Sequence, residues 1–217
     1  MAKTVGLIQV KGGAGRSTVA TNLAAIFSSK VKTALVDCDM PQGTSASWYA
    51  TRQAEGKANG LTLATASNHK ELIEVMQDLN DSHQVIFIDA PPRIAEVTKA
   101  IVILSDLNLI PLGASAAEIW ATSDLLTTIE EAKEYKPQID ARVIWTRFRG
   151  YTKSAQELSL AVKQELKLPE LKARLGYRVA YSEALARGLG VNEWPDSNAR
   201  KEITEMGNEV IKILRRK

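Results

Sequence analysis

The chain has 217 residues, of which 45% are apolar and 24% charged, with a formal net charge of +3. That length supports a sizeable core, and the composition excludes an intrinsically disordered chain. No apolar run approaches the ~18–20 residues that a bilayer-spanning helix needs. Cys38 is the only cysteine, so an internal disulfide is excluded and no metal-ligand spacing is completed nearby; a reduced, cytoplasmic protein is expected. The charge is uneven. Residues 1–141 hold 12 Lys/Arg against 16 Asp/Glu, and residues 142–217 hold 16 against 9. The imbalance hints at a polyanion-facing C-terminal third, although on charge alone basic solvated helix faces are the favoured reading.

In chain order, short apolar runs rich in β-branched residues alternate with helical patterns. The first run, Val5–Val10, passes straight into a glycine cluster and reads as a strand rather than a signal peptide. A helix over 16–29 follows, then a strand Thr33–Val36 ending in Asp37-Cys38-Asp39, and a helix over 44–52. Leu61–Ala64 and Val85–Ile88 are the next strands, separated by a helix over 69–79; Asp89 follows the second. Beyond a helix over 94–104 come Leu107–Ile110, a helix over 115–134, and Arg142–Trp145 with Thr146 and Arg147 behind it. Helices over 153–166 and 198–216 complete the pattern, the last capped by Ser197 or Asn198. The strands are near-continuously apolar, as in strands buried on both faces. The expected fold is therefore α/β, a doubly wound, mostly parallel sheet flanked by helices, with residues 1–217 forming one domain.

The most informative stretch is Val10-Lys11-Gly12-Gly13-Ala14-Gly15-Arg16-Ser17-Thr18, between a predicted strand and a predicted helix. This is the context of a phosphate-binding loop. The glycines let main-chain N–H groups approach phosphate oxygens, the helix start adds unpaired N–H groups and a positive dipole end, and Ser17 places a hydroxyl where a phosphate-bridging Mg²⁺ would sit. Against the pattern G-x-x-x-x-G-K-[ST], Val10 replaces the first glycine and Arg16 the lysine, while Lys11 lies five residues upstream.

The arrangement Lys-Gly-Gly-x-Gly-x-Ser-Thr resembles the deviant Walker A motif of the ParA/MinD superfamily of ATPases, closest to its ParA-type partition members. The resemblance extends over most of the chain. Val36-Asp37-Cys38-Asp39-Met40-Pro41-Gln42-Gly43 is similar to that family's second acidic motif, with Met40 as an extra residue. Val85–Pro92, with Asp89 at the strand end, looks like its Walker B segment. Trp145-Thr146-Arg147 resembles its adenine-recognition segment. Pro111, Ser115 and Glu118 resemble a stretch near its dimer interface, and Arg178-Val179-Ala180-Tyr181-Ser182-Glu183-Ala184 with Gly188 and Val191 resembles a ParA C-terminal pattern.

The resemblance implies ATP and Mg²⁺ as cofactors, with residues Lys11 to Thr18 around the phosphates. Lys11 would reach the partner's nucleotide in an ATP-bound homodimer. Asp39 would orient attacking water near the metal, Asp37 would be structural, Asp89 and Ser17 would serve the metal, and Thr146 and Arg147 would contact the base. It also implies non-specific binding of duplex DNA, for which Arg178, Arg187, Lys201, Lys212, Arg215, Arg216 and Lys217 are candidates. A ParB-like adaptor would trigger release from the nucleoid and so segregate a plasmid or other cargo. Arginine at position 16 keeps the charge but changes its shape, which predicts ATP binding with slow hydrolysis, or a switch with none. A MinD-like membrane-cycling ATPase is the alternative, disfavoured because the last apolar stripe reads as packed onto the body. A small-molecule ligase or kinase is disfavoured by Lys11 and the C-terminal pattern, and a nitrogenase-reductase cluster by the single cysteine. His69 and His83 are expected at the surface, the four tryptophans in packing roles, and Cys38 as a small buried filler.

Overall fold

A computed structural model describes residues 1–92, 96–113, 115–150 and 153–216. Strands β1 (Lys3–Leu7), β2 (Thr33–Asp37), β3 (Leu61–Thr65), β4 (Val85–Asp89), β5 (Leu107–Leu112), β6 (Ala141–Phe148) and β7 (Glu170–Gly176) form one sheet, ordered β3-β2-β4-β1-β5-β6-β7. Every pairing is parallel, as the continuous apolar runs require. The helices are α1 (Arg16–Ser28), α2 (Thr44–Ala54), α3 (His69–Asn80), α4 (Glu96–Leu104), α5 (Ala116–Ala132), α6 (Lys153–Glu165), α7 (Ala180–Ala186) and α8 (Ser197–Leu214).

On one face α1 packs against the sheet with Trp48 of α2, Ala180 and Ala184 of α7, and Ile203, Met206 and Val210 of α8. The opposite face is covered by Leu72 and Met76 of α3, Ile101 of α4, and Leu125 and Ile129 of α5. Helix α1 is buried along nearly its whole length, with Val19, Ala20, Leu23 and Ala24 fully enclosed. It therefore lacks a polar stripe, and its start is fixed rigidly behind β1. Strand order reverses around β1, so the carboxyl ends of β1, β2 and β4 lie side by side, with Leu7 and Asp37 both in register with Asp89. Ligands bind beyond such a reversal in open parallel sheets.

Several expectations need correction. Strand β7 and helix α7 were not foreseen. In β7, Leu171, Ala173 and Leu175 turn inward while Glu170, Lys172 and Arg174 alternate with them, the pattern of a half-covered edge strand rather than a continuous apolar run. Helix α8 protects that edge. Glu209 accepts hydrogen bonds from Lys172 N (3.0 Å) and Ala173 N (3.1 Å), and Glu202, seven residues earlier on the same helix, accepts from Gly176 N (2.9 Å). β1 stops at Leu7, because Gln9 and Val10 already enter the loop. Asp196, not Ser197 or Asn198, caps α8, accepting from Asn198 N and Ala199 N. His83 is buried, with Nε2 3.0 Å from Thr62 Oγ1, and burial pushes its pKa down. Trp120 is 70% exposed and packs no core. Residues 94 and 95 of the expected fourth helix lie outside the described residues.

The connection after α7 is clamped to α2. Arg52 Nη1 donates to Gly188 O (3.0 Å) and, with Nη2, to the Glu193 carboxylate, while Trp48 Nε1 donates to Leu189 O (3.1 Å). Gly188 has φ +65°, and a Cβ there would lie 2.4 Å from Arg52 N. Gly188→Ala thus combines a left-handed backbone with a main-chain overlap that cannot relax. It is expected to cost about 2–4 kcal/mol, read as a lowered urea midpoint at unchanged slope.

Candidate nucleotide-binding site

The glycine loop crosses the carboxyl end of the sheet. Gly15 takes φ +101° ahead of α1, and a Cβ there would lie 3.3 Å from Thr146 Cγ2, so the turn demands glycine. No side chain caps α1, so its first N–H groups face the cavity in front of the loop. Helix α2 also begins at a left-handed glycine, Gly43, and the Asp37 carboxylate accepts from its third N–H, that of Ala46. Gly12, Gly13, Gly15, Arg16, Ser17, Thr18, Asp39, Gln42, Thr44 and Pro92 line one cavity of about 360 Å³, so two helix starts converge on it. The sequence places a helix start at residue 44 but does not show that it comes to this cavity.

Arg16 does not project freely into this cavity. Its guanidinium folds beneath the loop, where Nε donates to Ala90 O (2.9 Å) and Nη1 to Lys11 O (2.9 Å) and Gln9 O. Nη2 lies 4.0 Å from Asp39 Oδ2. The side chain is 6% exposed, and burial lowers its pKa against the opposing pull of Asp89 and Asp39. Three of its five donors are spent on main-chain carbonyls, tying the ends of β1 and β4 to the loop. Lys11 sits half-buried at the loop's entry, and its ammonium has no partner among the described residues.

The acidic residues separate into distinct environments. Asp37 is fully buried and accepts from Asp39 N (2.9 Å) and Ala46 N (2.8 Å), which fixes the turn despite the extra Met40. Asp39 lines the phosphate cavity with a side chain 15% exposed. Asp89 is wholly buried. Ser45 Oγ donates to its Oδ2 (2.7 Å), and Oδ1 has no hydrogen-bond partner among the described residues. Burial pushes its pKa up to about 7, aided by neighbouring Asp37. A buried carboxylate oxygen left unpaired beside a serine hydroxyl and a phosphate cavity fits a Mg²⁺ site, since that cation takes one or two carboxylates and completes its shell with water and phosphate. Ser17, Asp89 and Asp39 are the residues here that would hold it directly or through water. Cys38, between the two acidic positions, is buried, and desolvation raises its thiol pKa.

A second cavity of about 340 Å³ adjoins the loop, lined by Gly13, Gly15, Thr18, Thr146, Arg147, Gly176, Tyr177, Arg178 and Tyr181 among others. Thr146 does not present its hydroxyl to a base. It is 4% exposed and Oγ1 donates to Ala14 O (2.8 Å), pinning the loop to the end of β6. Arg147, at φ 49°, donates to Glu118 Oε1 (2.6 Å), while Glu118 also accepts from Gly113 N. Ser115 caps α5. These residues thus brace the cavity wall; the bracing by Glu118 acts across 29 residues, beyond any local motif.

The basic candidates do not form one patch. Arg178 belongs to the cavity wall and is paired with Glu202 (2.8 Å). Arg187 is exposed and its guanidinium lies over the Trp194 ring at 5.4 Å. Lys201 is exposed, 4.0 Å from Glu205. Lys212, Arg215 and Arg216 are exposed about 20 Å away along α8, at its far end. There Lys212 and Arg216 share a groove with Arg142 and Lys172, two residues the sequence reading passed over. Lys217 lies outside the described residues. Among the described residues no helix is long and apolar enough to cross a membrane.

A glycine loop opening an uncapped helix, at the carboxyl edge of an all-parallel sheet and beside a strand-end carboxylate, defines a P-loop nucleotide-binding protein. Residues 5–191 match the family model of the CobQ/CobB/MinD/ParA nucleotide binding domain, and the chain belongs to that family. It is 26% identical over 211 residues to the maintenance of carboxysome distribution protein A of Halothiobacillus neapolitanus, covering 96% of each chain. It is 24% identical over 223 residues to the chromosome-partitioning ATPase Soj of Thermus thermophilus, covering 89% of this chain and 84% of that one. The fold matches that of apo McdA from Cyanothece with a TM-score of 0.81, at 17% identity and over 97% and 100% of the two chains.

Proposed function

We propose that the chain, with residues 1–217 acting as one domain, is a ParA-type positioning ATPase that binds ATP with Mg²⁺ in the glycine loop. The observation that supports this best is the cavity itself, with the uncapped start of α1 and the start of α2 around it and the unpaired Asp89 oxygen at its side. The main-chain N–H groups of Gly12 to Thr18 hold phosphate oxygens, and Ser17 and Asp89 serve the metal, whose chemistry is to neutralise charge developing on the phosphates. Asp39 faces the cavity as the carboxylate that positions attacking water. Arg16, tied to three carbonyls, supplies charge at a distance, so hydrolysis is slow. Lys11, unpaired at the entry, crosses to the nucleotide of a second copy and makes the dimer ATP-dependent.

In this reading the dimer binds duplex DNA without sequence preference through exposed cations of the C-terminal third, with Lys212, Arg215 and Arg216 as leading candidates and Arg187 and Lys201 as outlying ones. A ParB-like adaptor releases it, and the protein works at the nucleoid in the cytoplasm. The cargo follows the two kinds of relative, a protein assembly or a replicon. Size-exclusion chromatography with ADP, ATP or a non-hydrolysable analogue, each with and without duplex DNA, tests the reading. Doubling of mass with ATP or the analogue alone, and a DNA-bound peak that dissolves as salt rises, are expected. A chain that stays monomeric and ignores DNA in all conditions contradicts it.

A further inference from the structure

Glu202 is an unexpected hub. It sits on α8, outside every nucleotide motif, yet its carboxylate collects four hydrogen bonds from the wall of the cavity beside the loop. Oε2 accepts from Gly176 N (2.9 Å) and Tyr181 Oη (3.1 Å), and Oε1 accepts from Arg178 Nε (3.0 Å) and Nη2 (2.8 Å). Gly176, Arg178 and Tyr181 all line that cavity, whose other side is Gly13, Gly15 and Thr18 of the phosphate loop. Tyr181 is held inside, and burial together with the facing carboxylate raises its pKa, so it stays a neutral donor. A single carboxylate thus sets the end of β7, the turn after it and the start of α7 in one arrangement. A cavity next to the phosphate site, walled by Leu175, Tyr177, Val179 and Leu185 with a few fixed polar groups, has the character of a base-binding pocket.

We infer that Glu202 is a positioning residue for the nucleoside end of the ligand: it fixes the Gly176–Tyr181 wall against which the base packs, while phosphate binding depends on the loop alone. The inference rests on the nucleotide-binding reading above. Glu209 provides the internal control. It lies on the same helix and caps the same strand edge through Lys172 N and Ala173 N, but it lines no part of that cavity. A purely structural role would make the two residues behave alike.

The test measures equilibrium binding of ATP, GTP and inorganic tripolyphosphate, each with Mg²⁺, to the native chain and to Glu202→Ala, Glu202→Gln and Glu209→Ala, alongside thermal melting. Glu202→Ala is expected to weaken ATP about tenfold or more and to narrow the ATP-to-GTP ratio, with tripolyphosphate unchanged. Glu202→Gln keeps an acceptor oxygen but loses the charge pairing with Arg178, and is expected to fall between the two. Glu209→Ala is expected to lower the melting temperature without changing any of the three affinities. If the native chain binds ATP and Glu202→Ala binds it equally well, or if Glu202→Ala loses ATP and tripolyphosphate in parallel, the inference is overturned while the nucleotide reading stands. If the native chain binds none of the three, the nucleotide reading falls and the inference falls with it.

Discussion

Asp89→Asn is expected to make the ligand-free protein more stable at pH 8 while removing its response to Mg²⁺ and ATP. The Asp89 carboxyl is fully buried, and its pKa stands at about 7 against an ordinary 3.8, chiefly because burial penalises the charge. A carboxyl whose folded pKa is raised binds its proton more tightly in the folded state. Its contribution is therefore fully present below about pH 4 and is lost as pH rises through 7. At pH 8 the native chain carries the whole cost, at most about 4 kcal/mol for a shift of this size. Asparagine has no charge to bury and can still accept from Ser45. The variant should melt on the order of 10 °C higher at pH 8, with the gain vanishing near pH 4. The added stability on titrating Mg²⁺ with ATP should disappear, because a neutral amide is a poor ligand for a hard cation. Thermal melts at pH 4, 6 and 8, with and without nucleotide, measure both effects. A variant no more stable than the native chain at pH 8 contradicts the buried-charge account. Stability given up at a binding site is the expected trade where the ligand supplies the missing charge.

Arg16→Lys is expected to raise the rate of ATP hydrolysis about tenfold or more. The native guanidinium is fastened to Ala90 O, Lys11 O and Gln9 O, with its remaining nitrogen turned towards Asp39. Moving it to a phosphate means breaking bonds to buried carbonyls, and a charge misplaced by about 1 Å in phosphoryl transfer costs on the order of 10² in rate. Lysine carries a compact charge on a flexible stem and can exchange carbonyl for phosphate more readily. The variant should also be less stable without nucleotide, because one ammonium cannot hold the ends of β1 and β4 as the planar fork does. Steady-state turnover of the two proteins at matched nucleotide saturation decides the point. Equal rates mean that the restraint on Arg16 has no catalytic consequence.

Much of this site was legible in the sequence because its signals are local. Glycines 12, 13 and 15 mark a tight turn between an apolar run and a helix, and carboxylates at 37 and 89 end strands whose burial is written in their Val, Ile and Leu residues, with Asp39 two residues beyond the first. The sheet was legible for the same reason, except at its edge. β7 alternates because α8 covers only one side of it, and its polar residues break the continuous pattern that marks the other strands. What the sequence hides is pairing at long range. Thr146 reads as a base contact until its bond to Ala14 O, 132 residues away, is seen. Arg178 reads as a surface cation until Glu202 is found beside it. Arg16 marks the loop as unusual, but whether its side chain reaches forward or folds back depends on carbonyls at positions 9 and 90 that no spacing rule connects.

In the proposed function a triphosphate seats against the main chain of residues 11–18 and thereby joins two copies. The most direct measurement is a crystal structure of the protein grown with Mg²⁺ and a non-hydrolysable ATP analogue. Phosphates cradled by the Gly12–Thr18 amides, the base against Tyr177, and Lys11 of each copy at the other's nucleotide are the expected result. A loop still closed over Arg16 and empty at saturating analogue, in a monomer, would contradict it.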